Sequence, residues 1–441
     1  MIMNQMKIPK RISTALVNSL TSGVVPRVGL EYITVGRKYE IEALLWDLDN
    51  TAEGGAAFRL IVGRYGSGKS FMLQTIRNYA MDRDFIVADA DLSPERRLVG
   101  TKGQGLATYR ELMTNLATRT RPDGGALEVI LQKWISSLQQ RIIHEQGSRP
   151  PEDVLVQYVE ERILEAAGEL ESMVHGFDFS SVLATYWRGY KLSDDEKKQA
   201  AMRWMRGEFT TKTEARNALG VGVIIDDSSW YDYIKLWSEF ITNLGYKGLI
   251  LFIDEGVNLY KITNSVARTA NYEKLLMMFN DTMQGKASHL AIFMGGTPQF
   301  VEDERRGLYS YEALRSRLIE GRFSGNGLRN LAAPALKLEM LSNEEILLLL
   351  QKLRALYSTH YHHESPITDE QLVVFMESAV GRMGAEKLLT PREVIRDFMD
   401  IQDILYQNPD KTFEQLMEGH KVEAAKDDPD QVSDFLTEFE L

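Results

Sequence analysis

The stretch FRLIVGRYGSGKS, residues 58–70, decides the fold of this chain. Its apolar run ends at Gly63 and leads into GRYGSGKS, which has the spacing G-x-x-x-x-G-K-S. Residues 71–81 then repeat apolar side chains at helical spacing. A buried strand, a glycine loop and a helix in this order are the context in which the pattern predicts a phosphate-binding site.

The residue types of this loop suit the phosphates of a nucleoside triphosphate. Glycine reaches backbone conformations that other residues avoid, so successive N–H groups can face one anion, and the next helix adds the partial positive charge of its N-terminus. We expect Lys69 to reach the outer phosphates and the Ser70 hydroxyl to bind Mg²⁺. A glycine-rich turn that binds nothing is the alternative. The residues expected to bind the nucleotide here are Gly63, Gly66, Ser67, Gly68, Lys69 and Ser70.

A second apolar strand, GLILFIDE at residues 248–255, ends in two acids. Its continuous apolarity predicts a central parallel strand that is covered on both faces. Asp254 is then placed to bind Mg²⁺ beside Ser70, and Glu255 to orient and deprotonate a water that attacks the γ-phosphate. The alternative is that both acids only cap a turn. The adjacent glutamate favours hydrolysis over binding alone.

Three more strands are predicted, at residues 85–92, in HLAIFMGGTP (289–298) and at the start of residues 334–353. Thr297 follows the second of these, beside the acidic strand. We expect it to contact the γ-phosphate or the attacking water. The alternative is a threonine in the turn before Pro298.

The composition of the 441-residue chain is that of an ordinary globular protein, with 44% hydrophobic and 26% charged residues. A formal charge of −12 argues against a global basic field that attracts nucleic acid, although a local basic face is compatible with it. The chain has no cysteine, which excludes disulfides, thiol catalysis and cysteine-ligated metal sites. Without a long apolar run or a signal-peptide core, we expect a cytoplasmic protein that does not enter a membrane.

Residues 100–245 show helical periodicity almost throughout. The separation of Lys69 and Asp254, 254 − 69 = 185 residues, exceeds what one crossover helix and one or two strands need. We therefore predict a helical insertion whose apolar stripes form mainly a core, with some surface for a partner. Ser193 and Glu196 have the spacing of a capping box within it, and Ser342 and Glu345 repeat that spacing further on. One stripe consists of Leu127, Ile130, Leu131, Trp134, Leu138 and Ile142.

Two other segments leave alternatives open. HYHH at residues 360–363 could hold a metal, but a helix end or a solvated loop is the favoured interpretation. Residues 423–441 carry seven acids and one lysine, and we expect this stretch to be disordered. Its apolar residues could dock on a partner as a short peptide, or the stretch could serve only as a solubilising tail.

Seven segments occur in this order between about residues 30 and 410: VGRKYE, GRYGSGKS, ILFIDE, NYEKLL, GGTPQF, RRGLYSYEALRSRL and LTPREVIRDF. Together they resemble the BrxD-like ATP-binding proteins of bacterial BREX phage-defence loci, a divergent AAA+ group near the origin-recognition and STAND ATPases. The resemblance implies an AAA+ α/β core, an insertion before the acidic strand, a lid and a role in defence against phage. Too little chain follows the lid for a full winged-helix domain, so DNA recognition by that route is not expected.

The resemblance to AAA+ ATPases implies further nucleotide contacts. Val35 and Arg37, in a V-G-R turn before a helix, resemble the pocket for the nucleotide base. ALRSRL lies where AAA+ proteins place an arginine finger, which makes Arg317, and then Arg315, candidates to reach a neighbouring subunit's nucleotide. Contacts with nucleic-acid phosphates or a solvated helix face are the alternatives. Arg392, in the first turn after Pro391, would face the γ-phosphate if the lid closes over the site.

We therefore predict an α/β P-loop NTPase core of the AAA+ type, with a parallel sheet flanked by helices, formed by residues 33–99 and 246–340. An N-terminal segment (1–32), the insertion (100–245), a helical lid (341–420) and an acidic tail (421–441) complete the predicted chain.

The leading hypothesis is an oligomeric ATPase that uses ATP and Mg²⁺ to remodel or load a DNA-associated defence complex. The alternative is a nucleotide-gated switch or scaffold that recruits defence partners with slow turnover. A small-molecule kinase is disfavoured, because no motif for a second substrate is visible. The expected partners are ATP, other copies of the chain and other defence proteins, with DNA as a further candidate.

Overall fold

The fold is described from a computed structural model, for residues 7–171, 173–319, 330–381 and 390–423. These residues form two compact units. One unit spans residues 38–339 and contains the phosphate loop, and the other joins residues up to 37 with those from 340 onward. Residues 424–441 of the predicted acidic tail lie outside the described residues.

A parallel sheet forms the centre of the larger unit, as the apolar segments predict. Its strands lie in the order β2-β3-β4-β1-β5, and every paired neighbour is parallel. The phosphate-loop strand β1 is therefore separated from the acidic strand β3 by β4. The strands are β1 Ala56–Gly63, β2 Ile86–Asp91, β3 Leu249–Asp254, β4 Leu290–Gly296 and β5 Ala335–Leu338.

Helices cover both faces of this sheet and make up the smaller unit, which confirms the predicted α/β class. In the described part of the chain they are α1 Lys10–Thr21, α2 Leu30–Ile33, α3 Lys38–Ala52, α4 Lys69–Asp82, α5 Gln104–Thr114, α6 Leu127–Gln146, α7 Glu152–Glu171, α8 Gly176–Lys191, α9 Asp195–Met205, α10 Lys212–Leu219, α11 Trp230–Thr242, α12 Val257–Tyr260, α13 Ser265–Met283, α14 Pro298–Glu302, α15 Glu312–Leu318, α16 Asn343–Tyr361, α17 Asp369–Gly381, α18 Pro391–Gln407 and α19 Phe413–Glu423.

The continuous apolarity of the strands follows from burial on both faces. Successive side chains of a strand point to opposite faces. Phe58 and Leu60 of β1 therefore lie in one buried cluster with insertion residues, and Ile61 lies in another with Met72 and Ile76 of α4. Helix α4, which follows the phosphate loop, is held against the sheet by this second cluster.

Helices α5–α11, between β2 and β3, form the predicted insertion. All six residues of the predicted apolar stripe on α6 are buried. Edge-to-face ring pairs link its helices, with centroids 4.9 Å apart for Trp134 and Phe240 and 5.1 Å apart for Phe179 and Trp237. One hydrophobic cluster contains these rings and residues of the strands. The insertion thus shares a core with the sheet.

One predicted capping box is wrong. Helix α9 begins one residue later than expected, because Asp194 is its N-cap and accepts a hydrogen bond from the Lys197 amide. Ser193 lies before the helix with a φ of +53°. Aspartate is as effective an N-cap as serine, so the sequence offers two adjacent candidates. The second predicted box, at Ser342, is confirmed at the start of α16.

The N-terminal helix α1 belongs to the smaller unit, where it packs against α16 and α18. Ser13 Oγ and His360 Nδ1 lie 3.0 Å apart, and Lys352 Nζ donates to the Thr34 carbonyl over 2.6 Å. His362 is the left-handed C-cap of α16. This confirms the interpretation of HYHH as a helix end.

Asp47 and Arg59 form a buried ion pair that joins α3 to β1. The guanidinium binds both carboxylate oxygens, at 2.6 and 2.9 Å, and also donates to the Ala333 carbonyl. Burial raises the pKa of Asp47, and the nearby Arg59 opposes the rise. Both charges lie out of water, and each therefore compensates the other.

We expect Asp47→Ala to lower the free energy of unfolding by about 3–5 kcal/mol, because it leaves the Arg59 charge buried without its partner. Urea denaturation measures this difference. Asp49→Ala is the matched control on the same helix, since Asp49 forms an exposed pair with Arg83 and should cost less than about 1 kcal/mol. Equal losses in the two variants would contradict the structural role of the buried pair.

Candidate active site

The phosphate loop joins the carboxyl end of β1 to the N-terminus of α4. Gly66 and Gly68 have φ angles of +79° and +89°, and Gly68 is the N-cap of α4. This left-handed conformation is open to glycine at little cost. The loop thereby turns into the helix with its first N–H groups at the end of the sheet, the arrangement that binds phosphates.

Lys69 is the first residue of α4 and folds back across the loop. Its Nζ donates to the carbonyls of Gly63 over 2.9 Å and Arg64 over 3.0 Å. Burial lowers the pKa of this ammonium, while the carboxylates of Asp254 and Glu255 oppose the decrease. The cation thus lies within the electrostatic reach of both predicted acids.

Ser70 and Asp254 meet, although they are far apart in the sequence. Ser70 Oγ donates to Asp254 Oδ2 over 2.7 Å, and the other carboxylate oxygen accepts from the Glu255 amide over 2.8 Å. Gly295 of the neighbouring strand β4 makes room for this carboxylate, because a Cβ at that position would overlap Asp254 Oδ1. The two residues predicted to bind Mg²⁺ therefore face one point.

Glu255 follows directly in an unusual backbone conformation. Its φ is +57°, a backbone angle that residues other than glycine, asparagine and aspartate seldom adopt. Such strain concentrates at active sites, where the surrounding structure maintains it. Here the hydrogen bond from the Glu255 amide to the Asp254 carboxylate helps to fix the turn in which the chain leaves β3.

Thr297 lies at the carboxyl end of β4 and is the N-cap of α14. Its hydroxyl accepts from the Phe300 amide over 3.2 Å, and Pro298 begins the helix. This is the turn that the alternative interpretation describes. The hydroxyl is at the edge of the sheet that carries Asp254, and its contact with a phosphate or a water stays a prediction.

The two candidate finger arginines are held by residues outside the phosphate loop. Arg315 pairs with Glu304 at 2.7 Å, and Arg317 donates to Asn280 Oδ1 over 3.1 Å and to the Ala313 carbonyl. Within the described residues neither arginine has a hydrogen bond to the loop of its own chain. A role at a neighbouring subunit's nucleotide stays a prediction for both.

Val35, Arg37 and Arg392 belong to the smaller unit. Val35 and Arg37 are buried, and Arg392 is exposed in the first turn of α18. Pro391 begins that helix, as predicted, with Thr390 as its N-cap. The roles of these three residues toward a nucleotide stay predictions.

Asp91 is a further acid that the sequence interpretation missed. It ends β2 and is the in-register partner of Asp254. Burial raises the pKa of Asp91, and the carboxylates of Asp254 and Glu255 raise it further. The signal was present in the sequence, because Asp91 ends an apolar strand in the same manner as Asp254.

The donors at this edge of the sheet fit a magnesium–nucleotide complex. A serine hydroxyl and a carboxylate are oxygen ligands of the kind that Mg²⁺ takes together with substrate phosphates. The hydrogen bond between Ser70 and Asp254 shows that their oxygens can converge. Lys69 and the loop amides lie next to them for the phosphates. The arrangement can bind a triphosphate and hold a water near its outer end.

A comparison with protein families agrees with this geometry. The family model described as BREX system ATP-binding protein BrxC/D matches residues 8–421. The chain belongs to this family. It is therefore an ATP-binding protein of a BREX anti-phage defence system, as the resemblance implies. No curated protein matches the chain. Among the described residues of this family member, no helix is long and apolar enough to cross a membrane.

We expect Gly295→Ala to impair Mg²⁺-dependent ATP binding, because the added methyl group displaces the Asp254 carboxylate. Titration calorimetry with ATP, in Mg²⁺ and in EDTA, measures the effect, which should be confined to Mg²⁺. Gly168→Ala is the control, since a Cβ there meets no atom within 4 Å. An affinity equal to that of the wild type in Mg²⁺ would show that the carboxylate tolerates the shift.

Proposed function

We propose that this chain hydrolyses ATP with Mg²⁺, using the phosphate loop, Ser70, Asp254 and Glu255. The observation that carries the proposal is the 2.7 Å hydrogen bond from Ser70 to Asp254. It brings the hydroxyl that follows the phosphate loop to the strand that ends in Asp-Glu. A protein that only binds ATP needs the phosphate loop but no residue that activates water. A glutamate one residue beyond the metal-binding carboxylate is suited to activating water.

Each residue has a separate task in this proposal. The loop amides and Lys69 bind the β- and γ-phosphates, and Ser70 and Asp254 hold the metal ion. Mg²⁺ at this point would neutralise the charge of the phosphates. Glu255 orients the attacking water and accepts its proton. Thr297, at the end of β4, is the candidate to hold that water from the other side.

Glu255→Gln should retain ATP binding and lower the rate of hydrolysis by about 10²- to 10⁴-fold, because an amide cannot accept the proton. A phosphate-release assay and a binding titration measure the two properties. The control is Glu273→Gln, an exposed residue of α13. Unchanged hydrolysis would remove Glu255 from the mechanism.

The Glu255→Gln variant also distinguishes a protein driven by ATP hydrolysis from a switch that responds to ATP binding. If hydrolysis drives the remodelling or loading of a DNA-associated defence complex, cells with Glu255→Gln lose protection against phage although ATP still binds. Retained protection would favour the nucleotide-gated switch, in which the bound state recruits other defence proteins.

We further propose that the hydrolytic site is completed by Arg317 of a neighbouring subunit. Arg317→Ala should then retain ATP binding and lower hydrolysis by about 10³-fold or more. The ATPase activity of the wild type per subunit should rise with protein concentration. Light scattering in ATP and Mg²⁺ should detect an oligomer over the same range of concentrations. Arg305→Ala is the control, an exposed arginine in the same segment. A monomeric wild type at full activity, with and without duplex DNA, would contradict the assignment.

A further inference from the structure

Asp91 and Asp254 project from one face of the sheet at the same edge. They are partners on neighbouring parallel strands, and in-register partners point to the same side. Val87 and Phe252, which share this face, lie in the buried cluster that contains residues of α4. The face is therefore the one covered by the helix that follows the phosphate loop.

The sheet order gives the position of Asp91 relative to the nucleotide site. Counted from β1, it lies one strand beyond Asp254, and neighbouring strands are about 4.8 Å apart. Ser70 reaches Asp254 from the side of the phosphate loop. Asp91 thus borders the metal position on the side away from the loop.

Among the described residues, the Asp91 carboxylate has no protein hydrogen-bond donor, unlike the carboxylate of Asp89 on the same strand. Asp89, two residues earlier on the same face, binds Arg77 of α4 at 2.8 Å. For Asp91, Arg96 donates over 2.9 Å to the backbone carbonyl and pairs through another nitrogen with Glu111. Within the described residues no group donates a hydrogen bond to the Asp91 carboxylate. A charged acceptor at this edge is therefore available to a ligand.

Direct binding of a metal by three acids does not account for Asp91. Among the described residues no group of three histidine or acidic side chains is close enough to hold a metal ion. Magnesium in nucleotide sites keeps several water molecules, and these waters need acceptors. Loss of a residue that hydrogen-bonds a metal ligand typically costs about 10- to 100-fold in metal affinity.

We propose that Asp91 accepts hydrogen bonds from water on the Mg²⁺ held by Ser70 and Asp254. Asp91 is then a positioning residue that strengthens binding of the metal with the nucleotide. The proposal rests on the proposed function, since it assigns a residue to the same site. It also accounts for three carboxylates at one edge, because a bound divalent cation relieves their mutual repulsion.

Asp91→Asn tests this role without a reading of activity. We expect the variant, in complex with a non-hydrolysable ATP analogue, to bind Mg²⁺ about 10- to 100-fold more weakly than the wild type does. The reason is that the asparagine amide carries no charge and accepts hydrogen bonds from water less strongly than the aspartate carboxylate. Titration with Mn²⁺, followed by electron paramagnetic resonance, measures the affinity directly. Binding of the analogue in EDTA should be at least as tight as in the wild type. Asp82→Asn, an exposed acid at the end of α4, is the control.

The possible results separate Asp91 from the proposed function. A wild type that binds the metal complex and an Asp91→Asn variant of equal metal affinity would overturn the role of Asp91 alone. A wild type that binds no nucleotide would overturn both. Thermal unfolding in EDTA excludes a merely structural role, since the variant should be at least as stable once a repelling charge is removed. Lower stability in EDTA would overturn the proposal.

Discussion

The hydrogen bond between the Ser70 hydroxyl and the Asp254 carboxylate is the contact on which the candidate site depends. It joins residues that are 184 positions apart, across the strand that separates β1 from β3. The contact needs a glycine at position 295, where any side chain would occupy the space of the carboxylate. Strand order, helix α4 and the apolar core on both faces together bring two small polar groups to one point.

The parts of this site that the sequence predicted are those with a local signal. The loop at Gly66 and Gly68 and the two acids at the end of β3 each follow a pattern within about ten residues. The sequence shows Asp91 at the end of an apolar strand, but its place beside Asp254 comes from register with a strand 158 residues further on, 249 − 91 = 158. The misplaced cap at Ser193 has a local cause, since Asp194 caps equally well.

The grouping of the chain into units also depends on contacts between distant positions, which local sequence patterns do not reveal. The sequence separated the N-terminal segment from the lid, whereas α1 lies in one unit with α16 and α18. Ser13 and His360 touch across 347 positions, and no local pattern indicates such a contact. Helix bounds were easier to predict, because Pro391 and the Ser342 capping box mark them within a single turn.

The strand order also constrains how the chain is made. In the part of the chain that the structure describes, β1 pairs with β4 and β5, so it has no strand partner until residue 290 has been synthesised, 290 − 63 = 227 residues later. At about 5–20 residues per second, this interval lasts roughly 10–45 seconds on the ribosome. During that time the apolar side chains of β1 can be buried only by segments synthesised before β4, which include α4, the insertion and α13. The insertion, which contains most of the largest fully buried side chains, therefore also lengthens the period in which β1 lacks its neighbouring strands and is exposed to aggregation.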